Sequence, residues 1–119
     1  MFQIINQKNL KITFFILLVI ITILSLLPVN SNLDLGNKDK IGHLIAYFTL
    51  TTNAMLLKNF YAKKKLILSM IIAYGFTIEL LQGFVPGRDT SFIDEIFNST
   101  GVILGLFFAI LVSRYIKIY

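Results

Sequence analysis

The chain has no cysteine, no tryptophan and a single histidine among its 119 residues. Without cysteine there is no disulfide framework, no thiol nucleophile, no thiolate metal site and no lipoprotein anchor. Without tryptophan, tyrosine and phenylalanine are left to serve as interfacial anchors. A metal centre commonly draws on several histidines with an ordered second shell. One histidine with carboxylates at mixed depth argues against one, so neither a metal nor a cofactor is expected. Charge is also scarce: 14% of residues are charged against 56% hydrophobic, with a mean hydropathy of +0.79. A soluble domain of this size would leave much of that apolar surface in water. The composition indicates one small membrane-embedded unit over residues 1–119, without a separate soluble domain.

A spanning helix needs roughly 20 apolar residues, and about 17 suffice when flanking side chains reach the interface. Four segments qualify, predicting an all-α polytopic bundle of four transmembrane helices. The first runs over residues 12–27, between Lys11 and Pro28. The second covers 41–57 and is diluted by His43, Asn53 and several threonines. The third covers 66–85, after the triple lysine Lys63-Lys64-Lys65 and before Pro86. The fourth covers 94–112 and ends before Arg114 and Lys117. An alternative makes the first segment a secretory signal cleaved near Val29-Asn30-Ser31, although no A-x-A pattern stands there.

Orientation follows from the basic residues. With the N-terminus inside, Lys8, Lys11, Lys58, Lys63 to Lys65, Arg114 and Lys117 face the cytoplasm, leaving only Lys38, Lys40 and Arg88 outside. Both termini are then cytoplasmic. All six acidic residues, Asp34, Asp39, Glu79, Asp89, Asp94 and Glu95, fall on the outer half. The net charge of +5 is thus a topological signal that meets anionic lipid at the inner leaflet, and no nucleic-acid partner is expected.

The polar groups inside the spans converge on one layer. At about 1.5 Å per residue, Glu79 lies about 10 Å below the outer boundary with Gln82 one turn above it. His43 and Tyr47 lie at depths of about 5 and 10 Å, and Asn98 about 6 Å below Asp94. Asp39, His43 and Tyr47 share one helical face, as do Gly75, Glu79 and Gln82, and Asp94, Asn98, Gly101 and Gly105. Gly101 and Gly105 form a G-x-x-x-G row that lets a neighbouring helix approach closely. These faces are expected to turn toward one another. A carboxylate in hydrocarbon pairs in the bundle interior or a wet cavity; His43, Lys40 or Arg88 would pair Glu79, or its carboxyl carries a proton.

His43 beside Asp39 or Glu79 would make a carboxylate-oriented imidazole suited to proton transfer. No serine nucleophile is evident, although Ser91 and Ser99 lie nearby. The bland alternative is that buried His, Glu, Gln and Asn side chains hold a small bundle together by interhelical hydrogen bonds. Arg88 would then cap carbonyls or pair with Asp94. Clustering at one depth favours a shared site.

The stretches "DKIGHLIAYFTL" (39–50) and "YGFTIELLQGFVPGRDTSFIDEIFNSTGVILG" (74–105) resemble the VanZ-like family of small bacterial membrane proteins. The pattern is carried by Asp39, Lys40, His43, Tyr47, Tyr74, Gly75, Glu79, Gln82, Arg88, Ser91, Asp94, Asn98 and Gly101. The resemblance implies an integral membrane protein of bacterial origin, built as a small helical bundle. With the orientation read from the basic residues, a multi-pass protein of the inner membrane is expected, its polar site on the extracytoplasmic side. The family takes its name from a protein that raises resistance to teicoplanin, and no established reaction comes with it. Three readings stay open. In the first, a pocket binds a lipid or cell-wall precursor headgroup. Lys40 and Arg88 would hold its phosphate or carboxylate, and Glu79, Asp94, Gln82 and Asn98 its amine or sugar groups, with Asp39, Tyr47 and Ser91 completing the lining. Membrane lipids, a lipid-linked precursor or a glycopeptide are the partners this implies. In the second, His43 and Glu79 form the acid–base pair of an intramembrane hydrolase or transferase. In the third, the cluster only packs the bundle, as part of a regulatory protein.

Overall fold

Apolar side chains coat the outside of the protein, while a cluster of polar ones is buried beside an apolar core, unlike a water-soluble domain. Among the exposed side chains are Phe15, Val19, Leu24, Met70, Phe76, Leu104 and Phe107, while His43, Glu79, Gln82, Asp94, Glu95 and Asn98 are all buried. So large an apolar mantle is stable only against lipid or another apolar phase. The computed structural model describes residues 4–29 and 36–118. Asp34, the Asn30-Ser31 pair and the side chain of Lys38 lie outside what it describes.

The architecture is helical: α1 (Gln7–Leu26), α2 (Gly36–Leu56), the short α3 (Lys58–Ala62), α4 (Lys64–Gln82) and α5 (Phe92–Ser113). Among the described residues three helices, α1, α4 and α5, are long and apolar enough to cross a membrane. The sequence reading expects four, and α2 is the one below that standard. Its position explains the difference. α2 is the central helix, with Leu50, Thr51 and Ala54 fully buried and Tyr47 nearly so. A helix wrapped by its neighbours meets protein more than lipid, and its polar side chains are tolerated there.

Helix ends also differ from the hydropathy reading, because caps are polar and hydropathy does not register them. α1 starts at Gln7, where Asn6 accepts the Lys8 amide at 2.8 Å, and Ser91 caps α5 by accepting the Asp94 amide at 3.3 Å. α2 begins early enough to include Asp39 in its first turn, where a carboxylate suits the helix dipole. α4 stops at Gln82; the chain then tightens through i→i+3 bonds, such as Phe84 to the Leu81 carbonyl at 3.0 Å. α3 occupies a stretch read from sequence as a cytoplasmic connection. Gln7 pins its start, accepting the Lys58 amide at 3.0 Å and donating to the Leu56 carbonyl at 3.1 Å.

α2 and α5 run parallel with their backbones in contact. A Cβ on Gly101 would lie 2.6 Å from the Leu44 carbonyl oxygen, and one on Gly105 2.7 Å from that of Phe48. A Cβ on Gly75 of α4 would meet the Tyr47 ring at 3.0 Å. At one end of the bundle, Ile4–Ile5 (β1) pairs in parallel with Lys117–Ile118 (β2), so the two terminal segments lie side by side.

At the other end, Pro86-Gly87 makes a tight turn closed by the Arg88 amide on the Val85 carbonyl at 3.1 Å. Gly87 has φ +80°, and a Cβ there would fall 1.6 Å from the Val29 carbonyl oxygen. Only glycine fits both demands. The turn delivers Arg88 to the end of α1, where Nε donates to the Leu27 carbonyl at 2.7 Å and Nη2 to that of Leu24 at 2.9 Å. Gly87→Ala is expected to cost about 1–3 kcal/mol of stability, read as a lower unfolding midpoint in detergent. A midpoint equal to the wild type would refute this account of the turn.

Candidate functional site

The residues singled out from the sequence converge near this second end, carried by three helices and the turn before α5. α2 brings Asp39, His43 and Tyr47, at helical spacing, to face α4 and α5. The tight α2–α5 contact at Gly101 and Gly105 brings His43 directly against Asn98, about one turn before Gly101 on α5. Its Nδ1 lies 2.9 Å from Asn98 Oδ1, and Asn98 Nδ2 donates in turn to Glu95 Oε2 at 3.2 Å. An ionised Glu95 only accepts, so it turns the Asn98 amide nitrogen toward itself and the oxygen toward His43. With Asn98 Oδ1 facing the ring, Nδ1 is the donor, and a neutral ring then keeps its lone pair on Nε2. An ionised Glu95 would favour that tautomer from the far side of Asn98.

Nε2 points between two carboxylates. Asp39 Oδ2 and Asp94 Oδ2 each stand 3.6 Å from it, beyond hydrogen-bonding range. The Asp94 side chain is 8% exposed and that of Asp39 33%, so the pair straddles the border between interior and surface.

Glu79 is handled separately. Its Oε1 accepts the Ser91 amide at 2.7 Å, and its own carbonyl accepts from Thr90 Oγ1 at 3.3 Å. The N-cap of α5 thus holds the carboxylate at the positive end of that helix. The sequence reading sets His43 beside Asp39 or Glu79; in the structure Asp39 stands there, and the second carboxylate is Asp94, because α5 lies against α2 and brings Asp94 with it. Glu79 Oε2 and the Tyr47 hydroxyl are buried without a hydrogen-bond partner.

The remaining residues define a cleft of about 300 Å³ between α1, α2 and α4. Ile21, Leu24 and Ala46 form an apolar wall, and Asp39, His43, Gln82 and Arg88 a polar end. Gln82 is anchored through Nε2 to the Ser25 carbonyl at 3.0 Å. Arg88 is fixed by its two bonds to α1, so its charge is held at the cleft mouth. Lys40 is half-buried and forms no ion pair with Asp39, Glu79 or Asp94. Ser91 points its hydroxyl at its own helix start.

Sequence reasoning missed two contributors. Glu95 was read only as one more acidic residue of the outer half, yet it is buried and orients Asn98. Its i, i+3 spacing from Asn98 was the available signal. α1 was read as an apolar span alone, and nothing in its sequence shows that Ile21, Leu24 and Ser25 wall the cleft.

A family model described as VanZ/LLP1 matches residues 2–113. No curated protein and no solved structure matches the chain.

Proposed function

The chain belongs to the VanZ/LLP1 family, and from that premise we propose that it is a four-span envelope protein whose cleft binds the headgroup of a membrane lipid or lipid-linked cell-wall precursor. The observation that carries this reading is the two-sided cleft. An amphiphile needs an apolar wall for its chain and a polar end for its headgroup, and the cleft offers Ile21 and Leu24 beside His43, Gln82 and Arg88. The fixed guanidinium of Arg88 suits a phosphate, and Asp39 an amine or sugar hydroxyl.

Several features support the topology. The pairing of the two terminal segments through β1 and β2 supports an even number of crossings, and with α1, α4 and α5 as spans it favours α2 as a fourth. The lysines Lys8, Lys11 and Lys63 to Lys65 belong to the end where the terminal segments meet. That end would face the cytoplasm and the cleft the extracytoplasmic side of the inner membrane. A protein that holds a precursor headgroup there would alter how much of it a glycopeptide such as teicoplanin meets.

The test is mass spectrometry of lipids retained by the protein purified from its own membrane. One headgroup class should be enriched over the bulk membrane, and Gln82→Ala should reduce that enrichment at least about tenfold, the size of a lost pair of charge-assisted or buried hydrogen bonds. Retained lipid that mirrors the bulk in both proteins would end the binding reading.

A second reading is acid–base catalysis on such a lipid. The tautomer set by Asn98 favours it, since Nε2 is left free to accept a proton beside Asp94. Under that reading His43→Gln would abolish turnover while lipid retention persists.

A further inference from the structure

Among the described side chains, no cation pairs with the carboxylates around His43 apart from the imidazole itself. Asp94, Glu95 and Glu79 are buried and Asp39 is partly so, yet among the described side chains neither Arg88 nor Lys40 pairs with them: Arg88 donates to the carbonyls of α1, and Lys40 forms no ion pair with any of the four. Buried carboxylates at this density are costly unless another positive group compensates them. Three of the groups also converge. His43 Nε2 and one carboxylate oxygen each from Asp39 and Asp94 all lie within 4.8 Å of one another.

We propose that Asp39, His43 and Asp94 form a binding site for a divalent transition-metal ion, open on the side that faces the cleft. Four observations carry it. His43 is buried, and its outer nitrogen is left with a lone pair by the Asn98–Glu95 relay, the form in which imidazole ligates a metal. That relay is itself the kind of outer shell that fixes a metal-binding ring. The 3.6 Å separations of Nε2 from both carboxylate oxygens are too long for direct hydrogen bonds. They are close to the separation of about 3.4 Å between two ligand atoms each about 2.0–2.1 Å from a tetrahedral ion. Finally, Tyr47, one turn along α2 from His43, is 1% exposed, lines the same cleft and has a hydroxyl without a hydrogen-bond partner among the described residues. One nitrogen with two carboxylates selects Mn²⁺, Fe²⁺ or Zn²⁺ over Mg²⁺ and Ca²⁺, which prefer all-oxygen sets. The site does not require that the cleft bind lipid. The competing arrangement is a doubly protonated His43 held by the two aspartates with no metal.

The experiment uses the full chain in detergent, stripped with a chelator and titrated with Mn²⁺, then with Zn²⁺ as competitor. Metal analysis should give one ion per chain, undisturbed by equal Mg²⁺, and the electron spin-echo spectrum of bound Mn²⁺ should show one directly coordinated imidazole nitrogen. Asp94→Asn and His43→Gln should weaken binding more than about 10- to 100-fold, and Glu95→Gln by that range, as expected for an outer-shell change. Asp89→Asn, an exposed carboxylate away from the cluster, should leave affinity within about twofold, as surface charges contribute little. Absence of stoichiometric binding, a spectrum without imidazole coupling, or equal affinity in the ligand variants would overturn the proposal. The wild-type spectrum decides the matter by itself if a variant does not fold.

Discussion

Asn98→Leu should destabilise the protein by about 2–6 kcal/mol, the cost of leaving two buried polar groups unpaired at about 1–3 kcal/mol each. Leucine repeats the branched outline of asparagine but is bulkier, so the change removes the polar chemistry and adds some overpacking. It deletes the acceptor of His43 Nδ1 and the donor to Glu95 Oε2 in one step. Asn98 is 2% exposed, so water cannot replace either bond cheaply. The check is the unfolding midpoint in detergent, together with a double-mutant cycle against Glu95→Gln. A cycle with no coupling energy would show that the relay is not a unit. Because the tautomer of His43 depends on Asn98, the same variant should also lose metal affinity or turnover, whichever the site supports.

The second large effect is expected at the α2–α5 contact. Gly101→Ala should cost about 1–3 kcal/mol, the usual range for overpacking, and Gly101→Leu should prevent the folded bundle from accumulating. The added Cβ would meet two backbone atoms, the Leu44 carbonyl oxygen at 2.6 Å and the Phe48 amide nitrogen at 3.0 Å. Neither is a flexible side-chain end that could swing away, so the helices must separate. Separation also pulls Asn98 and Asp94 from His43, which couples stability to the site. Gly42→Ala is the matched control: it lies on α2 with nothing within 4 Å of its added Cβ. There alanine should be neutral or stabilising by up to about 1 kcal/mol through helix propensity. Equal losses at Gly42 and Gly101 would show that helix propensity, and not backbone contact, governs both.

Much of the fold was legible because a membrane imposes simple rules on composition. Long apolar runs bounded by Lys11, Lys63 to Lys65 and Arg114 mark α1, α4 and α5, since backbone groups in hydrocarbon are satisfied within helices. α2 was harder. Its His43, Asn53 and threonines lower its hydropathy, and whether that excludes it from the bilayer depends on what surrounds it. The polar layer was legible by depth and face: Asp39, His43, Tyr47, Glu79, Gln82 and Asn98 share a level and helical spacing. Their pairing was not. Glu79 could have met His43, Lys40 or Arg88, yet the α5 N-cap takes it through Ser91. Arg88 could have met a carboxylate and instead caps α1.

By itself, the sequence determined a helical membrane protein with its polar groups gathered near one end, because apolar length, basic flanks and residue spacing are properties of single helices. The tertiary structure alone decided which polar groups meet. Partner choice depends on helix register and crossing, and those are set by backbone contacts at Gly101 and Gly105 and by the Gly87 turn, features whose consequences appear only once helices are placed side by side. Glu95 behind Asn98, and Asp94 beside His43 Nε2, follow from that placement.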